Sequence, residues 1–345
     1  MLSYSESRSL ALARGSIVFL IAPIHCVMLY STPTVKAGML GRFMAFFAEY
    51  PGAHLFMFLM GFFISLSKAK PISAILKRSL LLLSAGYLLN AFKFVIPHWL
   101  GLLPRSFYVS NHIATDEFVA CRLLLINDIL QFAGVAYLIC GLIKRSAYRL
   151  FIGAAALVLV LTLSPWIWER TGSNHILINA MLDLAGGFPP HAYFPIFPWL
   201  FHCLLGTLCG HIKNHYGISF KYLLFTGLML TLMGTVIWFS EPASFHISFF
   251  RSGPGGTFIH GGVTLIFISL LDTLSKNKRD NPLFRFLSWC SRKITPIYLI
   301  QWVLIMWLLP ITGYETLNQS QSLIMITMVS GFTFLLTNYL SPSKK

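Results

Sequence analysis

The protein has 345 residues, of which 56% are hydrophobic and only 11% charged, and its mean hydropathy is +0.71. This apolar share is more than the core of one soluble domain could bury, so the composition excludes an ordinary water-soluble enzyme and indicates a lipid environment. The formal net charge of +15 would suit nucleic acid, but the Lys and Arg residues form short clusters between apolar runs, so we expect no nucleic-acid partner.

Apolar runs of about 20 residues recur along the chain, and a helix of that length crosses roughly 30 Å of hydrocarbon. They predict an all-α polytopic membrane protein with about ten transmembrane helices. The predicted helices cover residues 12–31, 43–67, 78–96, 119–143, 148–168, 193–212, 220–240, 256–273, 286–310 and 319–340. Because the sequence shows no internal repeat and no appended soluble segment, we expect residues 1–345 to form a single transmembrane domain.

The distribution of positive charge predicts the orientation. Ten spans place both termini on one side of the membrane, and that side carries 19 of the 26 Lys and Arg residues. Since cytoplasmic loops are enriched in these residues, we expect both termini in the cytoplasm and the protein in a bacterial inner membrane. The longer connections at 97–118, 169–192 and 241–255 then face outside, where we expect substrate recognition.

The first predicted helix carries Arg14 and His25, eleven positions apart. Eleven steps of about 100° end about 20° beyond three full turns, so both side chains share one helix face, roughly 16 Å apart along the axis. A guanidinium at the cytoplasmic mouth suits a phosphate group. A neutral imidazole deeper in the span could take a proton from a hydroxyl or amine. Alternatively, Arg14 is a positive-inside anchor and His25 is a hydrogen-bonded residue between helices.

The next three predicted helices add weaker candidates. His54 could be a second catalytic group, or it could tie two helices together. Lys77 and Arg78 open the third helix beside the cytoplasmic mouth, where they could bind phosphate or act only as anchors. Asp128 in the fourth helix could orient a catalytic imidazole, or it could form a structural pair with Arg122 or a neighbour.

Later helices offer candidates for substrate binding. Trp199 and His202 follow Pro195 and Pro198, which favour a broken helix start with backbone exposed to a cavity. Interfacial anchoring is the simpler interpretation of Trp199. His260 follows a Gly-rich turn and could contact an acceptor.

Three amide side chains, Asn127, Gln131 and Gln301, could stabilise an oxyanion, and Gln131 and Gln301 could also bind substrate. The six cysteines are scattered, with no C-x-x-C pair and no His at zinc spacing. We therefore expect neither a metal site nor structural disulfides.

Several of these segments resemble a known superfamily of transmembrane acyltransferases. The resemblance to the integral-membrane acyltransferase family 3 rests on the R-x10-H spacing, on Gly52–Ser65 (GAHLFMFLMGFFIS) and on Lys77-Arg78. Asp128–Gln131 (DILQ), Phe194–Trp199 (FPIFPW) and Thr295–Gln301 (TPIYLIQ) are more similar to its bacterial relatives of the heparan-glucosaminide N-acetyltransferase type.

The resemblance implies acetyl-CoA or another acyl-CoA as the donor, Arg14 as a donor-binding residue, and His25 as the catalytic base or acyl acceptor. Family 3 usually has an acidic residue where this chain has His54 and a His where it has Gln301, so its roles are not carried over there. We predict an acyltransferase that moves an acyl group, expected to be acetyl, from cytoplasmic acyl-CoA to a hydroxyl or amine of an extracytoplasmic glycan or glycolipid. The sequence leaves open the choice between O- and N-acylation and the oligomeric state, including a homo-oligomer.

A transporter or flippase of a lipid-linked or sugar-like substrate is the alternative, because ten helices with buried polar residues would serve that function too. Transporters often show repeated halves and paired broken helices, and the sequence shows neither pattern. A membrane scaffold or sensor without affinity for a thioester is a third class.

Overall fold

The computed structural model describes residues 2–168, 175–217, 219–276 and 280–341. Its α-helices up to the middle of the chain are α1 (Tyr4–Tyr30), α2 (Pro33–Ala37), α3 (Met39–Phe47), α4 (Ala53–Leu66), α5 (Ile72–Asn90), α6 (Ile96–Trp99), α7 (Arg105–Ser110), α8 (Val119–Leu124) and α9 (Ile129–Arg145). The later ones are α10 (Arg149–Trp168), α11 (Ile176–Gly186), α12 (Ile196–Tyr216), α13 (Lys221–Ser240), α14 (Pro254–Ser275), α15 (Pro282–Arg292), α16 (Ile294–Trp307), α17 (Leu309–Thr312) and α18 (Gln319–Leu340).

Short elements complete the fold. Two π-helical segments, Ala48–Gly52 and Ala91–Val95, join α3 to α4 and α5 to α6, and Ala243–Phe245 forms one 3-10 turn. Strands β1 (His246–Ser248) and β2 (Arg251–Ser252) pair in antiparallel orientation. Five of the charges that set the predicted orientation lie outside the described residues: Arg170, Lys278, Arg279, Lys344 and Lys345. Part of the predicted 169–192 connection lies outside them as well.

The helices agree with an all-α polytopic membrane fold. Among the described residues, seven helical segments are long and apolar enough to cross a membrane: Tyr4–Tyr30, Met39–Leu66, Ile72–Trp99, Arg149–Trp168, Lys221–Ser240, Pro254–Ser275 and Gln319–Leu340. On α13, Phe225, Leu232 and Phe239 are 62%, 60% and 83% exposed, as expected of side chains that face lipid. The count of ten spans stays a prediction.

Two of the predicted helices are interrupted in the structure. The prediction of one helix over 119–143 is wrong, because α8 ends at Leu124 and α9 begins only at Ile129. Asp128 caps α9 through its side chain, so the polar residue expected inside a helix marks its start instead. The predicted helix over 286–310 is divided among α15, α16 and α17, and Pro296 lies in the first turn of α16, where a proline is tolerated. Helix α11 lies within the predicted connection at 169–192.

The chain divides into two compact units, which are described separately. Unit 1 contains Ala53–Leu88 and Leu125–Leu270, together with the extreme N-terminus. Unit 2 contains Tyr4–Gly52, Leu89–Leu124 and the segment from Leu271 onward. In unit 2, α1 packs against α15, α16 and α18, so the opening helix lies among the C-terminal helices.

Glycines bring two helices of unit 1 into close contact. Gly206 and Gly210 of α12 have the four-residue spacing that lets helix backbones approach in membranes. A Cβ at Gly206 would overlap the Phe58 carbonyl of α4, and a Cβ at Gly61 of α4 would overlap the Cys203 carbonyl of α12. The backbones of α4 and α12 therefore touch, which fixes the relative position of the side chains that they carry.

Candidate active site

Helix α1 directs Arg14 and His25 at consecutive helices of unit 2. The Nε of Arg14 donates a hydrogen bond to Ser291 Oγ of α15 at 2.8 Å. The Nδ1 of His25 lies 3.1 Å from Gln301 Oε1 of α16. Both side chains are half-buried. Arg14 and His25 therefore both contact other helices of unit 2, Arg14 at α15 and His25 at α16.

The amide of Gln301 determines which nitrogen of His25 carries its proton. Gln301 Nε2 donates to the Tyr298 carbonyl at 3.2 Å, and a carbonyl can only accept. The Oε1 that faces His25 is then an acceptor, so the Nδ1 of His25 must be the protonated nitrogen. The Nε2 of the neutral ring is consequently the basic nitrogen, as a general base requires.

Two residues beside His25 were missed by the sequence analysis. The ring of Trp302 stacks on His25 with centroids 4.0 Å apart and an interplanar angle of 29°. The Nζ of Lys93 lies 4.4 Å from the centre of the same indole and 4.6 Å from the Phe94 ring, and Lys93 is only 1% exposed.

A signal for both residues was present in the sequence. Lys93 is a single cation within an apolar run, and an ionisable residue inside a predicted span is a functional candidate by default. It lies in the π-helical segment Ala91–Val95, a distortion that is frequent at functional sites. Trp302 directly follows the motif that ends at Gln301, but only the tertiary fold shows that its ring covers His25.

In unit 1 the structure brings together four predicted site residues from three helices that are distant in the sequence. The ring of His54 on α4 lies 4.6 Å from Trp199 and 4.5 Å from His202, both on α12. It also stacks on His260 of α14 at 4.4 Å, with an interplanar angle of 18°. Phe249 closes this histidine cluster at 5.7 Å from His54.

The histidine cluster is a packed core rather than an open pocket. His54, Trp199, His202 and His260 are 1%, 1%, 2% and 8% exposed. Within the part of the chain that is described, His202 Nδ1 has no hydrogen-bond partner, and no group of His, Cys, Asp or Glu side chains could hold a metal ion. Stacked rings turn their faces to one another, whereas metal binding needs converging nitrogen lone pairs. The predicted roles of these four residues stay predictions.

Asp128 and Gln131 stabilise the break between α8 and α9. Asp128 Oδ1 accepts from the Ile129 amide at 2.7 Å, and Gln131 Oε1 accepts from the Asp128 amide at 3.2 Å, which completes a capping box. Gln131 Nε2 also donates to the Ile126 carbonyl at 3.3 Å. Arg122, the partner weighed for Asp128, forms its ion pair with Asp116 instead.

The two basic residues at the start of the third predicted helix are both exposed in α5. Arg78 lines a cleft of about 280 Å³ in unit 1, together with Lys70 and Tyr137. The remaining lining residues are Met60, Phe63, Ile64, Ser67, Leu82 and Ala133. Lys77 is not among the lining residues, so of the two predicted phosphate ligands only Arg78 borders this cleft.

A buried arginine organises the segment between α13 and α14. Arg251 is 0% exposed, donates to the carbonyls of Phe250 and Ala192 at 2.7 and 3.1 Å, and lies over the Phe188 ring at 5.0 Å. Burial lowers the pKa of Arg251 to about 9, while the carboxylate of Asp183 acts in the opposite direction. Burial also raises the pKa of Asp183. The two groups are thus a cation and an acid that compensate one another in a low-dielectric site.

Comparison with known proteins identifies the family. The model of the heparan-alpha-glucosaminide N-acetyltransferase catalytic domain matches residues 8–248, more than half of the chain. The match includes Arg14, His25 and His54, whereas His260 and Gln301 lie beyond it. No curated protein and no solved structure matches the chain significantly. The chain therefore belongs to the heparan-alpha-glucosaminide N-acetyltransferase catalytic family and is a membrane protein of an acetyltransferase family.

Proposed function

We propose that this protein transfers an acyl group, in the first place acetyl, from cytoplasmic acyl-CoA to a hydroxyl or amine of an extracytoplasmic glycan or glycolipid. His25 is the general base of this reaction. The observation that supports this role is the orientation of the imidazole, since Gln301 holds the proton on Nδ1 and leaves Nε2 basic.

Arg14 binds a phosphate of the donor in this proposal. It lies three turns before His25 on the same helix, about 16 Å away along the axis. That distance is comparable with the length of a pantetheine arm, so the nucleotide phosphates and the thioester can lie along one side of α1. Ser291 orients the guanidinium through its hydrogen bond to Nε, and the terminal nitrogens of Arg14 then suit bidentate binding of phosphate.

The reaction begins when the acceptor oxygen or nitrogen attacks the carbonyl carbon of the thioester. Nε2 of His25 takes the acceptor proton as the new bond forms. When the tetrahedral intermediate collapses, the carbon–sulfur bond breaks and the imidazolium returns the proton to the leaving thiolate. In a two-step variant His25 itself carries the acyl group before the acceptor arrives.

The membrane arrangement of the proposal follows the charge distribution. Ten spans, both termini in the cytoplasm and a single domain over residues 1–345 would let acyl-CoA enter from the cytoplasm and the glycan from outside. A bacterial inner membrane provides both compartments.

The test uses detergent-purified protein and acetyl-CoA. We expect Arg14→Ala to weaken acetyl-CoA binding and His25→Ala to keep binding but lower transfer by roughly 10²- to 10⁴-fold, the usual contribution of a general base. Arg8→Ala is the matched control, because Arg8 is a second arginine near the same end of α1, where it lies over the Phe284 ring. It should leave donor binding unchanged.

The acceptor is found by comparing envelope glycans by mass spectrometry from cells that express the wild-type protein or the His25→Ala variant. A gain of one acetyl mass that depends on His25 supports the proposal. Wild-type protein that binds no acetyl-CoA, or moves a glycan across the membrane without consuming a thioester, would contradict it and favour a transporter.

A further inference from the structure

Next to His25 lies a polar group that plays no part in the proposed general-base catalysis. The indole Nε1 of Trp302 is inaccessible to solvent, and among the residues that the structure describes no acceptor lies within hydrogen-bond distance of it. An unsatisfied buried donor is costly, so such a group is expected to meet an acceptor at some stage of function.

The position of this donor connects it with the base. The imidazole of His25 and the indole of Trp302 stack with centroids 4.0 Å apart, so a group that binds at the indole N–H lies close to the imidazole. Transfer of an acyl group develops negative charge on the carbonyl oxygen, and a preorganised donor at that oxygen is usually a large part of catalysis. His25 as a proton acceptor cannot supply it.

Lys93 makes the Trp302 N–H a stronger hydrogen-bond donor, because its ammonium group lies over the face of the indole ring. Its Nζ lies 4.4 Å from the Trp302 ring centre, within the range of a cation–π contact, and its side chain is 1% exposed. A cation on the π face draws electron density from the indole and makes the N–H a better donor, and a low local dielectric increases the effect. Lys93 is therefore a positioning residue that acts through Trp302.

We propose that Trp302 Nε1–H donates a hydrogen bond to the carbonyl oxygen of the acyl thioester and stabilises the oxyanion, with Lys93 polarising the indole. The inference rests on the proposed acyl transfer and adds the group that stabilises the carbonyl oxygen. As the acceptor attacks, the carbonyl π electrons move to oxygen, where the Trp302 N–H meets them, while Nε2 of His25 takes the acceptor proton. Collapse restores the C=O bond, breaks the C–S bond and returns that proton to the thiolate.

The direct test follows indole N–H signals by NMR in ¹⁵N-tryptophan-labelled protein in detergent. Trp302→Phe, or Trp302→Tyr if the first variant does not fold, identifies the Trp302 signal by its loss. Acetyl-CoA should move this signal downfield, and CoA, which lacks the acyl carbonyl, should not. The Trp307 indole is the internal control, because it already donates to the Phe92 carbonyl at 2.8 Å and should not respond. A Trp302 signal that acetyl-CoA leaves unmoved overturns the inference.

A kinetic test measures thiol release from acetyl-CoA with an envelope glycan extract as the acceptor. Trp302→Phe and Lys93→Met should each lower kcat about tenfold or more, the equivalent of a hydrogen bond worth 1.4 kcal/mol, and leave acetyl-CoA binding within about twofold. Lys93→Arg should restore most of the rate because it keeps the charge. Lys36→Met is the matched control, since Lys36 is a half-buried lysine of unit 2 that pairs with Glu315.

The two proposals fail in different ways. Wild-type protein that neither binds acetyl-CoA nor transfers acetyl overturns the proposed function. Wild-type protein that is active, with Trp302→Phe and Lys93→Met equally active, overturns only the assignment of the oxyanion site.

Discussion

At the scale of single residues, hydrogen-bond direction decides what a side chain can do. Gln301 was a candidate oxyanion donor by its amide, yet its Nε2 donates to the Tyr298 carbonyl and its Oε1 faces His25. In the proposed reaction it would orient the imidazole, the role that the third member plays in generalised triads. The acid predicted for that role, Asp128, caps a helix in the other unit.

Substitution of Gln301 tests this orienting role. Gln301→Leu removes the acceptor for the Nδ1–H of His25, and we expect transfer to fall about tenfold, as for the loss of one hydrogen bond worth about 1.4 kcal/mol. Gln301→Glu retains an acceptor oxygen and should remain the more active of the two. The measurement is the initial rate of acetyl transfer at saturating acetyl-CoA, and equal rates in both variants would contradict the orienting role.

Arg251 and Asp183 provide a test of buried charge in unit 1. Arg251→Ala removes a cation that acts on the Asp183 carboxylate together with His191, and it leaves two carbonyls without their donor, so we expect the free energy of unfolding in detergent to fall by about 3 kcal/mol. The double variant Arg251→Met with Asp183→Asn leaves neither charge buried and should lose less. A double variant less stable than Arg251→Ala would show that the two charges do not compensate each other.

The same arginine predicts a pH dependence. Burial lowers its pKa to about 9 in the folded protein, well below the ordinary arginine pKa that it regains in the unfolded chain. Between these values the unfolded chain binds more protons, so the contribution of Arg251 to stability rises as the pH increases above about 9. Unfolding curves from pH 8 to 10.5 should show this rise relative to Arg251→Met, and parallel curves would contradict it.

At the scale of helices, periodicity predicted the long spans well but not the interruptions. The predicted 148–168 and 319–340 helices correspond to Arg149–Trp168 and Gln319–Leu340, because a continuous apolar run favours a continuous helix. The break before α9 arises from the capping box of Asp128 and Gln131. These side-chain hydrogen bonds start a new helix at Ile129, and a hydropathy pattern does not show them.

Close packing of α4 against α12 leads to a prediction at this scale. Gly206→Leu would force the two backbones apart, since even a Cβ there overlaps the Phe58 carbonyl. We expect a large loss of thermal stability in detergent. Gly331→Leu on α18 is the matched control, because nothing lies within 4 Å of a Cβ at that glycine. Similar melting temperatures for the two variants would contradict the role of the contact.

At the scale of the whole molecule, the parity of the spans can be measured. Ten spans place the two termini on the same side, whereas an odd number, such as the seven segments long and apolar enough among the described residues, would place them on opposite sides. We expect green fluorescent protein fused to either terminus to fluoresce and alkaline phosphatase fused to either terminus to be inactive. Opposite results at the two ends would overturn the predicted topology.

The sequence by itself determined the lipid environment, the all-α class and the positions of most long helices, because hydropathy and periodicity are properties of neighbouring residues. It also predicted Arg14 and His25 as site residues from their shared helix face, which stays a prediction, and the resemblance in motifs indicated the family that the comparison confirmed. Only the tertiary structure placed Gln301 and Trp302 against His25 and gathered His54, His202 and His260 into one core. These residues are far apart in the chain, and no local pattern records which helices pack together or the direction of a hydrogen bond between them.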